Sequence, residues 1–578
     1  MLSIPTSLRR TLLGGLCASA LIVGGCSGGD KAPAEEISVD VATLDLSKAD
    51  EAALARHFET MPRSGAEEDT LALLALADFE GATYAERLID GANVVYTDWS
   101  ADNEEGSVTA DRVEMIGLHE VDGAPTLDRL NVRGMRLKGY DENEGERFES
   151  VDATLAALTV VGPSTSLFSD LADILAARDS GSDTATQAVS GSESFRALRI
   201  EDMNATVNDA TRTGVLSVGQ IVVGNDADEE LLDAVVEQVD FTWSPPETEN
   251  GADSGEPFTL AMDGLTLLSL DTDAMVRPVP QGVGAMAGVL SGALSVMGPS
   301  AKPLYQQVDL GKMDISSSLF DLTTDGFEAD ADVDGDTTTL RTVLEPLELT
   351  LKDLSTTPLA PFMDALRENG LDVITLKGSS TTTFDRGDDR VSYRDNGTEI
   401  DGGLRMRCNY DVQGLNAAAA SLEASGATPP VFEMDEDEDP QEVMERFQAD
   451  AQAYAAAQTE ANKLILLEAL DCTIQDVADN SLVERGYAAA STITGRPVAV
   501  LKGGAKTMIA LSSLTAQSEF QRDLMDTLGS GLIDFIDTPG QTLTVTIAPD
   551  TPVAITALTG EDGSEPSIRP LNLSVDVQ

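Results

Sequence analysis

Positive charge is what this sequence has least of. Lys and Arg together number 37 against 100 Asp and Glu, a formal net charge of −63. A field of that sign repels phosphate backbones and acidic headgroups, which excludes nucleic acid as a partner. Histidine is nearly absent, at 2 residues, and cysteine is scarce, at 4. That scarcity rules out a disulfide-dense miniature fold and a Cys-rich zinc site. Aromatic residues reach only 4%.

Catalytic signatures are missing as well. His57 and His119 sit in no HExxH or comparable metal spacing, and there is no G-x-S-x-G elbow or Walker-type glycine loop. Carboxylates abound, yet no Asp/Glu pair can be nominated for hydrolysis from sequence alone. The expectation is a non-enzymatic protein without a cofactor.

What is present begins with residues 1–25, which carry Arg9 and Arg10, an apolar run from Leu12 to Val23, then Gly24-Gly25-Cys26. A short basic start, a brief apolar stretch and small residues make a secretory signal. Val23-Gly24-Gly25-Cys26 resembles the lipobox of bacterial lipoproteins. The resemblance implies that Cys26 is diacylated, becomes the first mature residue and anchors the chain to a membrane. Ser27 follows where an inner-membrane lipoprotein of this type commonly has Asp, so the family rule implies the periplasmic face of the outer membrane, with surface display left open. Arg9-Arg10-Thr11-Leu12-Leu13 faintly resembles a twin-arginine signal, so the export route stays open too.

With Cys17 removed and Cys26 lipidated, Cys408 and Cys472 remain, and in an oxidising compartment such a pair forms one disulfide. Residues 26–39 are small and polar, which suits a flexible tether. Beyond them apolar and polar residues alternate, as in Leu130–Leu137, Phe258–Met262, Leu347–Leu351 and Leu543–Ile547, the mark of half-buried strands. Asp334-Gly335, Asn396-Gly397 and Asp385-Arg386-Gly387-Asp388 favour hairpin turns. Helices are expected over Asp50–Met61, Leu167–Arg178, Gln441–Ala469 and Glu519–Asp537.

Leu347–Ala365 and Leu470–Ala488 share Leu, Thr, Asp and Leu at their first, fourth, seventh and thirteenth positions. Each reads as a strand, a polar turn and an opening helix, with Thr357-Pro358 and Asn480-Ser481 as cap regions. Leu155–Asp173 and Met406–Ala420 follow the plan loosely. The fold class is therefore mainly β with interspersed helices: a long, twisted, partly repetitive antiparallel or mixed sheet with helices on one side. Residues 40–300 form its N-terminal half and 301–578 its C-terminal half, where the repeats lie. In that half Cys408 and Cys472 hold equivalent places in their units, which makes them cross-strand neighbours if the units stack.

Such strands in an envelope protein resemble the long β-sheet proteins of the AsmA and YdgA type. That likeness implies an extended, groove-like sheet that handles lipid between membranes, although those proteins commonly carry a transmembrane helix where this chain has a lipobox. The expected partners are the membrane through the anchor, a lipid or other apolar ligand, and envelope proteins.

Two segments need weighing. Asp330, Asp332, Asp334, Gly335 and Asp336 match the first half of a calcium loop, but Arg341 stands where the bidentate Glu belongs. A hairpin with Ala329, Ala331 and Val333 facing in and Asp334-Gly335 turning is the favoured reading. Pro278–Ala301 is uncharged and spaces Gly284, Gly288 and Gly292 four apart, but its prolines leave it too short to span. It is expected to lie on the sheet or close a groove.

Overall fold

The computed structural model describes residues 54, 56–59, 65–76, 83–102, 106–121, 124–143, 146–163, 195–208, 213–226, 231–244, 257–271, 303, 305–352, 360–427, 440–515, 519–556 and 568–578. Cys26 with its lipobox, the tether, Leu167–Arg178, Pro278–Ala301 and Thr357-Pro358 lie outside them.

Alternating sequences become strands, and the strands join one 21-stranded sheet. It opens with β1 (Glu86–Asp90), β2 (Asn93–Asp102) and β3 (Gly106–Ile116). The small hairpin β4 (His119–Val121) and β5 (Ala124–Thr126) stands apart. The ladder resumes with β6 (Arg129–Asn143), β7 (Glu146–Val161), β8 (Ala197–Asn208), β9 (Thr213–Asp226), β10 (Leu231–Ser244) and β11 (Phe258–Asp271). Two rows are then built from short strands: β12 (Gln307–Leu310) with β13 (Met313–Ser316), and β14 (Phe320–Thr324) with β15 (Phe327–Asp334). After them come β16 (Thr337–Leu351), β17 (Val373–Asp385), β18 (Arg390–Ile400), β19 (Leu404–Gln413) and β20 (Leu466–Asp476). The sheet closes with β21 (Thr542–Ile547), β22 (Val553–Ala554) and β23 (Ser574–Val577).

Every pairing is antiparallel, and each row pairs with the row that follows it in the chain, across residue 300 as elsewhere. At about 4.8 Å per row, roughly eighteen rows extend the sheet about 80 Å.

The α-helices are inserted between rows, except the first, which precedes β1. They are α1 (Glu67–Leu76), α2 (Ala360–Glu368), α3 (Leu415–Ser425), α4 (Pro440–Asn462), α5 (Leu482–Thr494), α6 (Val498–Thr515) and α7 (Glu519–Asp537). α3 and α4 join β19 to β20; α5, α6 and α7 join β20 to β21. Ser481 caps α5 by accepting from the Glu484 amide at 3.0 Å, at the cap region read from sequence.

Several expectations change. The helix placed over Gln441–Ala469 stops at Asn462, because Leu466 and Leu467 pair with Gln413 and Val412 of β19. The run Leu464–Leu467 suits either period, and the open strand edge decides it. Asn396-Gly397 is no turn: it lies inside β18 where the ladder shifts register, and Asp401-Gly402, both at positive φ, make the turn instead. Of the helix expected over Asp50–Met61, the described part is Leu54 and a 3₁₀ turn at Arg56–Phe58. α1 and α6 were not anticipated as helices. The Leu347 and Leu470 units both hold a strand followed by a helix, but they stand four rows apart. Their helices meet where Arg485 of α5 donates to the Asn369 carbonyl at 3.0 Å, just beyond α2.

Buried clusters punctuate the sheet. Leu73 and Leu74 of α1 pack on the group holding Val94, Tyr96, Val113 and Leu130. Ala418, Leu422 and Ala461 of α3 and α4 pack on Tyr393, Tyr410 and Val412. Phe535 of α7 packs on Ile474 and Leu543. The 3₁₀ turn seats Leu54 and Phe58 on Val222 and Val235.

Candidate functional site

One irregularity recurs in row after row. Along a strand the apolar face returns every second residue, but near mid-strand the step becomes three. Tyr96 is followed by Trp99, Ala110 by Val113, Val132 by Met135, Ile200 by Met203, Val236 by Val239, Met262 by Leu265, and Leu310 by Met313. The skipped pairs are polar or glycine-containing: Thr97-Asp98, Asp111-Arg112, Arg133-Gly134, Glu201-Asp202, Glu237-Gln238, Asp263-Gly264 and Gly311-Lys312. From β2 to β10 one member is left-handed in every second row, with φ of 47° at Asp98, 60° at Gly134, 47° at Asp202 and 55° at Gln238.

A left-handed residue resets the alternation, so apolar side chains on both sides of the skip reach the same face. Tyr96 and Trp99, either side of Asp98, accordingly belong to one cluster, as do Val132 and Met135 either side of Gly134. Interruptions of this kind bend strands. Set level in successive rows, they crease the sheet along its length.

The crease leaves a continuous apolar row on one face. Cross-strand partners follow one another from Leu216 to Phe241, Leu260, Ile315, Leu322, Leu349 and Ile374. Next to it, Leu347 leads to Leu376, Ile400 and Leu404. The alternate residues of those strands are polar: Thr259 opposite Ser316, Asp314 opposite Thr323, and Glu348 opposite Thr375.

Among the described residues, the buried clusters that include α-helix residues lie at the two ends of the row. Between them Leu216, Phe241, Leu260, Ile315, Leu322, Leu349 and Ile374 are all half-buried. Phe241 lies 6.3 Å from Trp243 and 6.2 Å from Phe258, an aromatic margin where the strands end. On the polar face the crease forms a hollow of about 300 Å³ lined by Asp202, Asn204, Ser217, Gln238, Asp240 and Asp263 among others.

Cys408 and Cys472 form a disulfide directly across β19 and β20, with Cα atoms 4.1 Å apart. Cys408 is buried between Met406 and Tyr410, which point to the same face. The bridge joins the two strands that α3 and α4 separate in sequence by 64 residues.

The Asp330–Asp336 segment is a hairpin turning at Gly335, whose φ is 59°. Arg341, the residue that spoils the calcium pattern, stands opposite Asp330 and pairs with it at 3.3 Å. Burial pushes the Asp330 carboxyl up, partly offset by Arg341, and burial likewise raises Asp309. Ala329 is buried as expected, but Val333 is 50% exposed: β12 begins opposite Asp330, so Val333 lies beyond the described strand on that side. Among the described residues no group of three or more His, Cys, Asp or Glu is placed to hold a metal ion.

His57 is buried, with Nε2 2.9 Å from Asp233 Oδ2, while Asp233 Oδ1 accepts from the Ser269 amide at 2.8 Å. It ties the N-terminal turn to β10. His119 Nδ1 lies 2.7 Å from the Gly117 carbonyl.

Residues 409–578 match a family model described as "Uncharacterized protein". No curated protein matches the chain.

Sequence reading had located the strands but missed the apolar row as a site. Its signal is the repeated three-residue step over an acidic or glycine-bearing pair, legible only once many strands are aligned on it.

Proposed function

We propose that the protein is a non-enzymatic lipoprotein of the bacterial envelope, anchored by Cys26 at the periplasmic face of the outer membrane, that cradles an acyl chain on its long sheet. The observation that carries this reading is the half-buried apolar row from Leu216 to Ile374, unbroken across seven rows' cross-strand pairs. An apolar surface of that length, with polar residues on the reverse side, suits a linear hydrocarbon ligand. That the α-helices gather on this same face is supported by Leu73, Leu422, Ala461 and Phe535, each set against residues of the apolar register. Leu54 and Phe58 oppose it from the other face, since Val222 and Val235 alternate with Ile221 and Val236. The lipobox supports the location.

Lipid extracted from the purified full chain tests the reading. Leu322→Glu with Leu349→Glu should remove bound acyl lipid, whereas Thr323→Glu with Thr350→Glu, on the reverse face, should not. Equal lipid content in both variants would defeat the reading. A second reading, a scaffold for envelope proteins, draws on the C-terminal rows, where α3, α4 and α7 fill the apolar face.

A further inference from the structure

The apolar row has a neighbour across the crease, and that neighbour stops short. From Leu198 the direct cross-strand partners run through Val223, Ala234, Leu267 and Val308 to Ala329. All of these except the small, buried Ala329 are half-buried. Two residues nearer the crease, Leu265, Leu310, Phe327 and Leu344 follow one another in the same way. Leu198 and Ala329 stand five row spacings apart, about 24 Å, which exceeds the roughly 15 Å of hydrocarbon in one bilayer leaflet.

At β16 the chemistry of this lane changes. The partner of Ala329 is Thr342, and the partner of Thr342 is Ser380. Their hydroxyl oxygens lie 2.6 Å apart, and Ser380 is also hydrogen-bonded to the Tyr393 phenol. Alongside, Leu344 is followed by Gly378 and then Thr398. β18 bulges opposite Ser380, which sets Asn396 beside the cluster and opposite Cys408. Tyr393 is itself buried with Ala418 and Leu422 of α3. The hydroxyls therefore stand where the half-buried face meets the helices.

Three hydroxyls joined by two hydrogen bonds keep one O–H to donate, and the Asn396 amide adds two N–H. Donors at the end of an apolar lane match the oxygens of an acyl ester. The residues that share the face around them, Leu340, Leu344, Gly378, Thr382 and Thr398, are all uncharged. A phosphate or carboxylate seated there would give up water without gaining a cation, in a chain whose net charge is already −63. An uncharged head group escapes that cost.

We propose that Thr342, Ser380 and Asn396 seat the glycerol-ester end of a neutral glyceride whose acyl chain lies along the lane from Ala329 toward Leu198. This inference rests on the lipid-cradling reading and narrows its ligand from any linear hydrocarbon to an uncharged acyl ester.

The test uses the delipidated full chain carrying Cys26→Ala, so that no anchor chain competes for the lane. Equilibrium dialysis measures its uptake of radiolabelled 1-oleoylglycerol, oleate, 1-oleoylglycerol 3-phosphate and hexadecane. The parent should prefer 1-oleoylglycerol to either anion by about tenfold. Thr342→Val with Ser380→Ala should weaken 1-oleoylglycerol by about tenfold, the worth of two net hydrogen bonds, and leave hexadecane unchanged. If that pair fails to fold, Thr342→Val alone, which keeps Ser380 on Tyr393, should weaken it about threefold. Equal affinity of parent and variants for 1-oleoylglycerol, or a parent that prefers either anion, overturns the proposal, while retained hexadecane leaves the cradle standing. A matching loss of hexadecane in the variants also overturns it, because the substitutions would then have deformed the lane and removed no head-group contact. A parent that takes up none of the four probes overturns both the proposal and the reading beneath it.

Discussion

Cys408 and Cys472 close a 64-residue loop that contains α3 and α4. Joining β19 to β20 on the apolar face, they hold the pairing on which the Tyr410 and Met406 clusters both depend. In the loop-entropy view such a closure stabilises by roughly 4 kcal/mol, less any strain. Cys408→Ser with Cys472→Ser should lower the calorimetric midpoint of the mature protein, and added reductant should do the same to the parent and nothing further to the variant. Unchanged midpoints would mean that the helices alone fix the two strands. Asp309 offers a test of opposite sign. Burial raises its carboxyl above the ordinary range, so the folded chain keeps that proton at pH values where the unfolded chain has lost it. Stability from this group is therefore gained as pH falls through the window between the ordinary and the raised value, and lost as pH rises through it. Asp309→Asn should raise the midpoint at pH 7 slightly and flatten its slope across that window, as thermal scans at several pH values would show.

At the scale of elements, the skip at mid-strand is the feature to perturb. Gly134 sits at φ 60°, and an added Cβ would fall 2.1 Å from Asp111 Oδ2. Gly134→Ala should thus destabilise by about 1–3 kcal/mol through strain and displacement of Asp111. Denaturant unfolding measures this; a neutral effect would show that the crease tolerates ordinary extended backbone there. Strand alternation, the cap at Ser481, the α7 boundaries and the opposed cysteines could all be read from residues, because each depends on local spacing or compartment. The Asn396-Gly397 turn could not, since a dipeptide that favours turns also fits an interrupted strand, and only the neighbouring rows choose. α6 escaped for a related reason: apolar residues lie on its outer as well as its inner face, and its two lysines on the inner one, so its pattern signals no ordinary core-facing helix. The three-residue step was hidden because one skip in one strand looks like noise, and it gains meaning when the same level recurs in adjacent rows.

At the scale of the molecule, the described residues form consecutive antiparallel rows that extend one sheet in one direction. Its many acids disfavour self-association, while the apolar row from Leu216 to Ile374 crosses seven of its rows. Helices pack on buried clusters toward both ends of the described sheet, and the disulfide joins β19 to β20 beside the C-terminal ones. This architecture carries the central claim that the face between the end clusters holds a linear acyl chain. The most direct measurement is a footprint with a photoreactive fatty acid on the intact chain, read by peptide mass spectrometry. Saturable labelling should map to Phe241, Leu260, Ile315, Leu322, Leu349 and Ile374, and unlabelled fatty acid should compete it away. Labelling confined to Thr259, Asp314 and Thr323 on the reverse face, or no saturable labelling at all, would contradict the account.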